Sequence, residues 1–226
     1  MKLLIIISLL CFTLLLGFYK IYYSHNNLVL NNGINIDMIN SEIYNSIPAC
    51  NIAKPVLHNK FTYSFWFYIN DFYNYNLKLK TWKHIFHKGT FIKNNPPNKF
   101  LNWNSVIKEI PEQSVGVWLD PELNNIRVAI NVNNSLEYTD IKNIPIKKLV
   151  NITITINDSF MEIYMNGQNY LTKLFSDSIT FNNKDMYFNY QYTYNGKLFN
   201  FLYVPKLLNF NEIKQIYQNK PNLNSQ

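Results

Sequence analysis

Residues 149–168 read LVNITITINDSFMEIYMNGQ, and their alternation decides the fold. Val150, Ile152, Ile154 and Ile156 recur at every second position against Asn151, Thr153 and Thr155. Successive side chains of a strand point to opposite faces, so this period of two predicts a half-buried antiparallel strand. Asn157-Asp158-Ser159 breaks the run with turn residues. Met161, Ile163 and Met165 then return as the apolar face, with Glu162 and Tyr164 opposite. Asn166-Gly167 ends that second strand. Both residues tolerate positive φ, which the two-residue type I′ hairpin requires.

The same pattern extends in both directions. FTYSFWFYIND (61–71) sets Phe61, Tyr63, Phe65, Phe67 and Ile69 on one face and Thr62, Ser64, Trp66 and Tyr68 on the other. That suits a sandwich strand whose second face is partly covered. WKHIFHKG (82–89), VGVWL (115–119), NIRVAINV (125–132) and NGKLFNFLYV (195–204) read as further strands. LNFNEIKQIYQN (208–219) reads as a helix: Asn209 is its N-cap, Glu212 completes a capping box, and Ile213, Ile216 and Tyr217 share one face. Many short strands with one terminal helix predict an all-β, antiparallel two-sheet sandwich. Residues 91–114 show no clean period, and a loop of that length in a compact domain is functional or disordered.

Composition narrows the function classes. Hydrophobic residues make up 47% and charged residues 15%, enough apolar material for a core and too little charge for a disordered chain. The net charge of +7 comes from dispersed lysines with a single arginine, Arg127, so no patch suited to bidentate phosphate or base contacts is present and nucleic acid is not an expected partner. Cys11 lies in the apolar N-terminal run and Cys50 stands alone, so the main domain is expected to hold no internal disulfide.

Residues 3–19, LLIIISLLCFTLLLGFY, carry no charge and are flanked by Lys2 and Lys20. The run is about the minimum for a spanning helix, and Ile21, Tyr22 and Tyr23 extend it into the interface. A cleaved signal peptide would have a shorter apolar region and small residues at its end, which Leu15-Leu16-Gly17 and Tyr22-Tyr23-Ser24 do not supply. The expected organisation is a transmembrane signal-anchor helix over 1–23, in contact with the lipid bilayer through 3–19, a polar Asn-rich stalk over 24–53, the sandwich over 54–220 and a tail over 221–226. The N-terminal amine and Lys2 outweigh Lys20, which places the C-terminal domain of this single-pass protein on the translocated side. Sequons at Asn133, Asn151 and Asn157 are expected by chance in so Asn-rich a chain and do not settle the side.

Five stretches stand in a telling order: FTYSFWFYIND, KHIFHKG, VGVWLDPELNNIRVAI, DIKNIPIKKLVNITITINDSFMEIYMNGQ and NGKLFNFLYVPKLLNFNEIKQIY. Together they resemble the concanavalin A-like lectin/glucanase superfamily in its laminin G-like jelly-roll branch, over about residues 54–218. Membrane-anchored copies similar to this chain occur in large DNA viruses, so the resemblance implies display on a virion surface. There are departures. Leu149 stands where the branch usually has Trp, Asn151 stands in place of its next His, and Thr139 and Lys173 lie where similar viral proteins carry a Cys pair.

The resemblance implies recognition of carbohydrate or protein rather than catalysis. Glucanases of the superfamily carry E-x-D-x-E on one strand, where alternation brings the carboxylates to one face. The nearest approach here is Asp120-Pro121-Glu122, whose proline marks a turn. Laminin G-like domains often bind calcium at a loop rim; Asp120 and Asp140 are the acids in suitable loops, and no other cofactor is expected. His84 and His87, three apart on a strand, are expected on opposite faces, one at the surface and one half-buried, and so unable to share a metal. Sugar sites stack pyranose rings on exposed aromatics, which makes Tyr73, Tyr75 and Trp103 the candidate ligand-binding residues. The other reading of these loop aromatics is packing of the loop onto the sandwich. A structural or assembly role in a membrane complex, without glycan binding, is the alternative function.

Overall fold

The computed structural model describes residues 12–17, 34–37, 45–55, 59–71, 81–91, 102–189 and 195–222. Two six-stranded sheets face each other. In spatial order the first contains β1 (Ile34–Asp37), β12 (Asn195–Val204), β3 (Lys60–Asp71), β8 (Leu149–Asn157), β9 (Phe160–Met165) and β10 (Gln168–Leu174). The second contains β2 (Asn45–Ile47), β11 (Met186–Phe188), β4 (Lys83–Gly89), β5 (Gln113–Leu119), β6 (Ile126–Val132) and β7 (Ser135–Ile141). Every neighbouring pair is antiparallel.

The alternation read at 149–168 sets the register. Ile152, Ile154 and Ile156 of β8 lie beside Phe65, Tyr63 and Phe61 of β3 and beside Met165, Ile163 and Met161 of β9. These residues, apart from half-buried Met165, are buried between the sheets with Phe86, Val117, Val128 and Phe188 of the second sheet. The β9–β10 turn has Asn166 at φ 53° and Gly167 at φ 74°, the left-handed pair the hairpin requires. Asn166 does more than turn: its Oδ1 accepts from the Asn151 N–H at 3.0 Å, and its own N–H donates to the Asn151 carbonyl at 2.9 Å.

A helix covers part of each outer face. On the first sheet lies α2 (Phe210–Gln218), capped by the expected Asn209/Glu212 box. Ile213 is fully buried against Tyr164, Leu202, Val204 and Leu208, and the Tyr217 ring stacks on Trp66 at 5.7 Å. A Cβ on Gly167 would come within 3.1 Å of Tyr217, so the hairpin turn and the terminal helix pack directly on one another. Beneath α2 the alternate residues of β3 and β8 are polar but satisfied. Ser64 and Thr153 hydroxyls meet at 2.8 Å, and the Asn151 amide donates to Ser64 Oγ and the Phe65 carbonyl.

The second sheet is covered by α1 (Trp103–Glu109), which arises inside the stretch expected to be loop. Asn102 caps it by accepting from the Ser105 N–H at 2.9 Å. Trp103, Val106 and Ile110 bury themselves against Trp82, Trp118 and Ala129. Gln113 holds the end of this helix: its amide donates to the Ile110 carbonyl at 3.1 Å while its Oε1 accepts from Trp118 Nε1 at 3.0 Å. That side chain lies across Gly116, where a Cβ would fall 1.6 Å from Gln113 Oε1.

Two further differences concern the N-terminal part. The segment 24–53, expected as stalk, supplies an edge strand to each sheet: β1 pairs with β12 and β2 with β11. An edge strand has a partner on one side only, so a polar composition is no obstacle. Residues 12–17 are helical, and Phe12, Leu14, Leu15 and Leu16 are all more than half exposed. Among the described residues no helix is long and apolar enough to cross a membrane, and the rest of 3–19 lies outside them. Cys50 is free and exposed.

Candidate binding site

Sequence reasoning placed His84 and His87 on opposite faces; the structure corrects this. A bulge in β4 lies between the pairs His84–Trp118 and Phe86–Val117, which reverses the alternation within the strand. Both imidazoles therefore emerge on the outer face and meet, with His87 Nδ1 2.7 Å from His84 Nε2. Neither is exposed, and they are enclosed by Trp118 and Tyr187. His87 Nε2 faces the Thr90 carbonyl at 3.0 Å. A carbonyl only accepts, so His87 is protonated at Nε2, its Nδ1 accepts, and His84 Nε2 is the donor between the rings. Burial holds both well below the usual histidine range, His87 at about 4, which keeps the pair neutral. No group of three or more His, Cys, Asp or Glu that could hold a metal occurs among the described residues.

Trp103 takes the packing role. It is 9% exposed, and its ring meets Trp82 at 4.9 Å, Tyr138 at 5.5 Å and Trp118 at 6.2 Å. These aromatics surround the guanidinium of Arg127, which lies 3.8 Å from the Tyr138 ring, 4.5 Å from Trp82 and 4.8 Å from Trp103. Asp140 closes the arrangement as a two-pronged partner, Nε to Oδ1 at 2.7 Å and Nη2 to Oδ2 at 2.8 Å. Both oxygens of this calcium candidate are thus engaged by Arg127. Asp120, the other, accepts through one oxygen from the Glu122 and Leu123 N–H groups, each at 2.8 Å, and so builds the turn that its proline suggested. Tyr73 and Tyr75 lie outside the described residues.

With Trp103 folded inward and the outer face of the second sheet roofed by α1, an open concavity lies at one end of the sandwich. It is a half-open cleft of about 430 Å³ lined by Pro111, Glu112, Asn131, Asn134, Thr180 and Asn182. Its walls are the link from α1 to β5, the end of β6, the β6–β7 turn and the segment before β11. The floor is fixed by hydrogen bonds. Asn131 accepts from the Gln113 N–H and donates to the Pro111 carbonyl at 3.0 Å. Asn182 receives the buried Lys88 ammonium on both its carbonyl and its Oδ1, and donates to the Lys88 carbonyl at 3.1 Å. At the rim, Lys184 pairs with Glu112 at 2.9 Å. Sequence reasoning missed this site because four chain segments build it, and no single stretch contains more than two of its residues.

No family model and no curated protein matches the chain. Solved structures do. The crystal structure of the botulinum neurotoxin serotype D binding domain superimposes with a TM-score of 0.55 at 14% identity, covering 83% of this chain and 42% of that one. The serotype G binding domain gives 0.55 at 19% identity, over 83% of this chain and 45% of that one. The binding domain of botulinum neurotoxin DC in complex with SialylT gives 0.51 at 17% identity, over 77% and 39%. The chain thus spans less than half the length of these structures, and the likeness is one of fold: a jelly-roll-like β-sandwich.

Proposed function

We propose that this chain is a non-enzymatic recognition or adhesion module of the concanavalin A-like, laminin G-like kind, held at a membrane by residues 3–19 and binding carbohydrate or protein through its sandwich. The observation that carries this reading is the half-open cleft lined by polar side chains, with a hydrogen-bonded floor, while helices cover the central strands of each outer sheet face. The carboxylates at hand are occupied in turns and ion pairs rather than gathered for acid–base work. The shared fold with toxin binding domains, one of them in complex with SialylT, supports a binding role. The helical turn at 12–17 supports membrane attachment, since Phe12, Leu14, Leu15 and Leu16 are apolar and more than half exposed. The sandwich is proposed to lie on the translocated or virion-surface side, with Lys2 on the cytoplasmic side of the run and Lys20 as the opposing charge.

One observation favours the assembly alternative. β10 is an edge strand with Leu174 77% and Tyr170 37% exposed, a surface on which a protein partner could add a strand or a helix. Full-length chain in detergent, applied to a broad glycan array and recovered from membranes with its associated proteins, separates the readings. Reproducible glycan binding is expected. Silence on the array with one co-purifying membrane protein would establish the assembly role instead, and hydrolysis of a β-glucan would overturn the non-enzymatic reading.

A further inference from the structure

Resting on the recognition reading, we propose that the cleft between the β6–β7 turn and residues 180–184 is the ligand site, and that it takes an uncharged, hydroxyl-rich ligand, a neutral saccharide, with Asn134 and Thr180 as its contact residues. Three features lead there.

The first is the chemistry left over once the fold has used its own groups. The Asn134 side chain makes no hydrogen bond to the described residues and keeps both its carbonyl oxygen and its amide. The two are spaced to accept from one hydroxyl and donate to its neighbour, as a vicinal diol requires. Thr180 donates its backbone N–H to the Asn131 carbonyl at 3.1 Å, and its carbonyl accepts from Ser114 Oγ at 3.4 Å, while the residue itself is exposed. Asn131 and Asn182 each retain a second amide N–H beyond the single bond their nitrogen makes.

The second is pre-organisation. Asn134 sits at φ 66° in a two-residue turn, and its neighbour Asn133 is tied to Asp177 at 2.7 Å. A bridge between Val132 and Ile179 joins the two walls. The backbone that carries the contact groups is fixed before any ligand arrives, which lowers the ordering cost of binding.

The third is charge. Glu112 and Lys184 cancel one another at the rim, Asp177 adds a carboxylate beside the turn, and the one arginine is sequestered among aromatics. The Lys88 ammonium below is buried and its three donors are taken by the Asn182 carbonyl, Asn182 Oδ1 and the Lys184 carbonyl. Among the described residues of the cleft a sialylated or sulfated ligand would therefore meet no exposed, unpartnered cation, whereas a neutral one carries no desolvation penalty for an unmatched charge.

The test uses full-length protein in detergent and titrates lactose, mannobiose and cellobiose in parallel with sialyllactose. It compares wild type, the Asn134→Ala/Thr180→Val double variant, and Gln215→Ala on the exposed side of α2 as control. Thermal unfolding of each variant establishes that it is folded. The expected result is binding of at least one neutral probe, weakened at least tenfold in the double variant and unchanged in Gln215→Ala. Neutral binding that survives the double substitution would overturn the site and leave the recognition reading standing. Binding of sialyllactose alone would overturn the ligand class. No saccharide bound would overturn this inference, and one membrane protein captured in its place would favour the assembly role; no binding of either kind would overturn the recognition reading as well.

Discussion

Arg127 is the residue whose environment says most about what this surface is for. Its guanidinium is ringed by Trp82, Trp103 and Tyr138 and held by Asp140, with side chains only 12% and 26% exposed across the ion pair. The protein supplies its own cation to its own aromatic cluster, so these rings consolidate the cover over β5 and β6. Arg127→Lys keeps the charge but loses the planar fork and the stacking. It should cost roughly 1–3 kcal/mol, read from urea unfolding. The histidine pair makes a second prediction. His87 has a folded-state value of about 4 against 6.5 when unfolded, and His84 is shifted the same way. Between those limits the unfolded chain binds more protons, so stability is full above about pH 6.5 and falls as pH drops toward 4. The slope approaches about 1.4 kcal/mol per pH unit for each histidine. His87→Gln should flatten this dependence in denaturation curves collected from pH 7.5 to 4.5; an unaltered slope would mean that other groups drive it.

At the scale of elements, the stretch 149–168 was legible because its two strands bury one face and its turns contain residues that accept positive φ. The capping box of α2 was legible for the same reason: its signal is local. What stayed hidden depends on tertiary context. The bulge in β4 brings His84 and His87 together by adding a residue that no alternation rule announces. Helix α1 escaped because its apolar residues Trp103, Val106 and Ile110 span only two turns amid polar sequence. The i, i+3, i+7 spacing and the cap at Asn102 were the available signal. Strands β1, β2 and β11 are three or four residues long and take their pairing from neighbours. The Gly167–Tyr217 contact gives the element scale its own test. Gly167→Ala places a Cβ at positive φ and against the Tyr217 ring. It should destabilise the protein by about 1–2 kcal/mol and loosen α2, seen as faster amide exchange in 210–218. Ile213→Ala, by emptying a fully buried position, should cost about 2–5 kcal/mol.

For the whole molecule, the sandwich begins earlier than the sequence suggested, because β1 and β2 border β12 and β11. A chain starting at residue 54 would leave both of those strands with unpaired backbone groups. It should show a lower unfolding midpoint and more aggregation than one starting at residue 34, measured by thermal scanning and light scattering. Equal behaviour would mean the N-terminal strands add nothing to the domain. The cleft by Asn134 and Thr180 is the ligand site proposed for this fold. Mapping amide and side-chain NMR shifts of the full-length protein during titration with neutral saccharides tests this most directly. Changes concentrated at Glu112, Asn134, Thr180 and Asn182 are predicted. Changes centred elsewhere, or none at millimolar ligand, would contradict it.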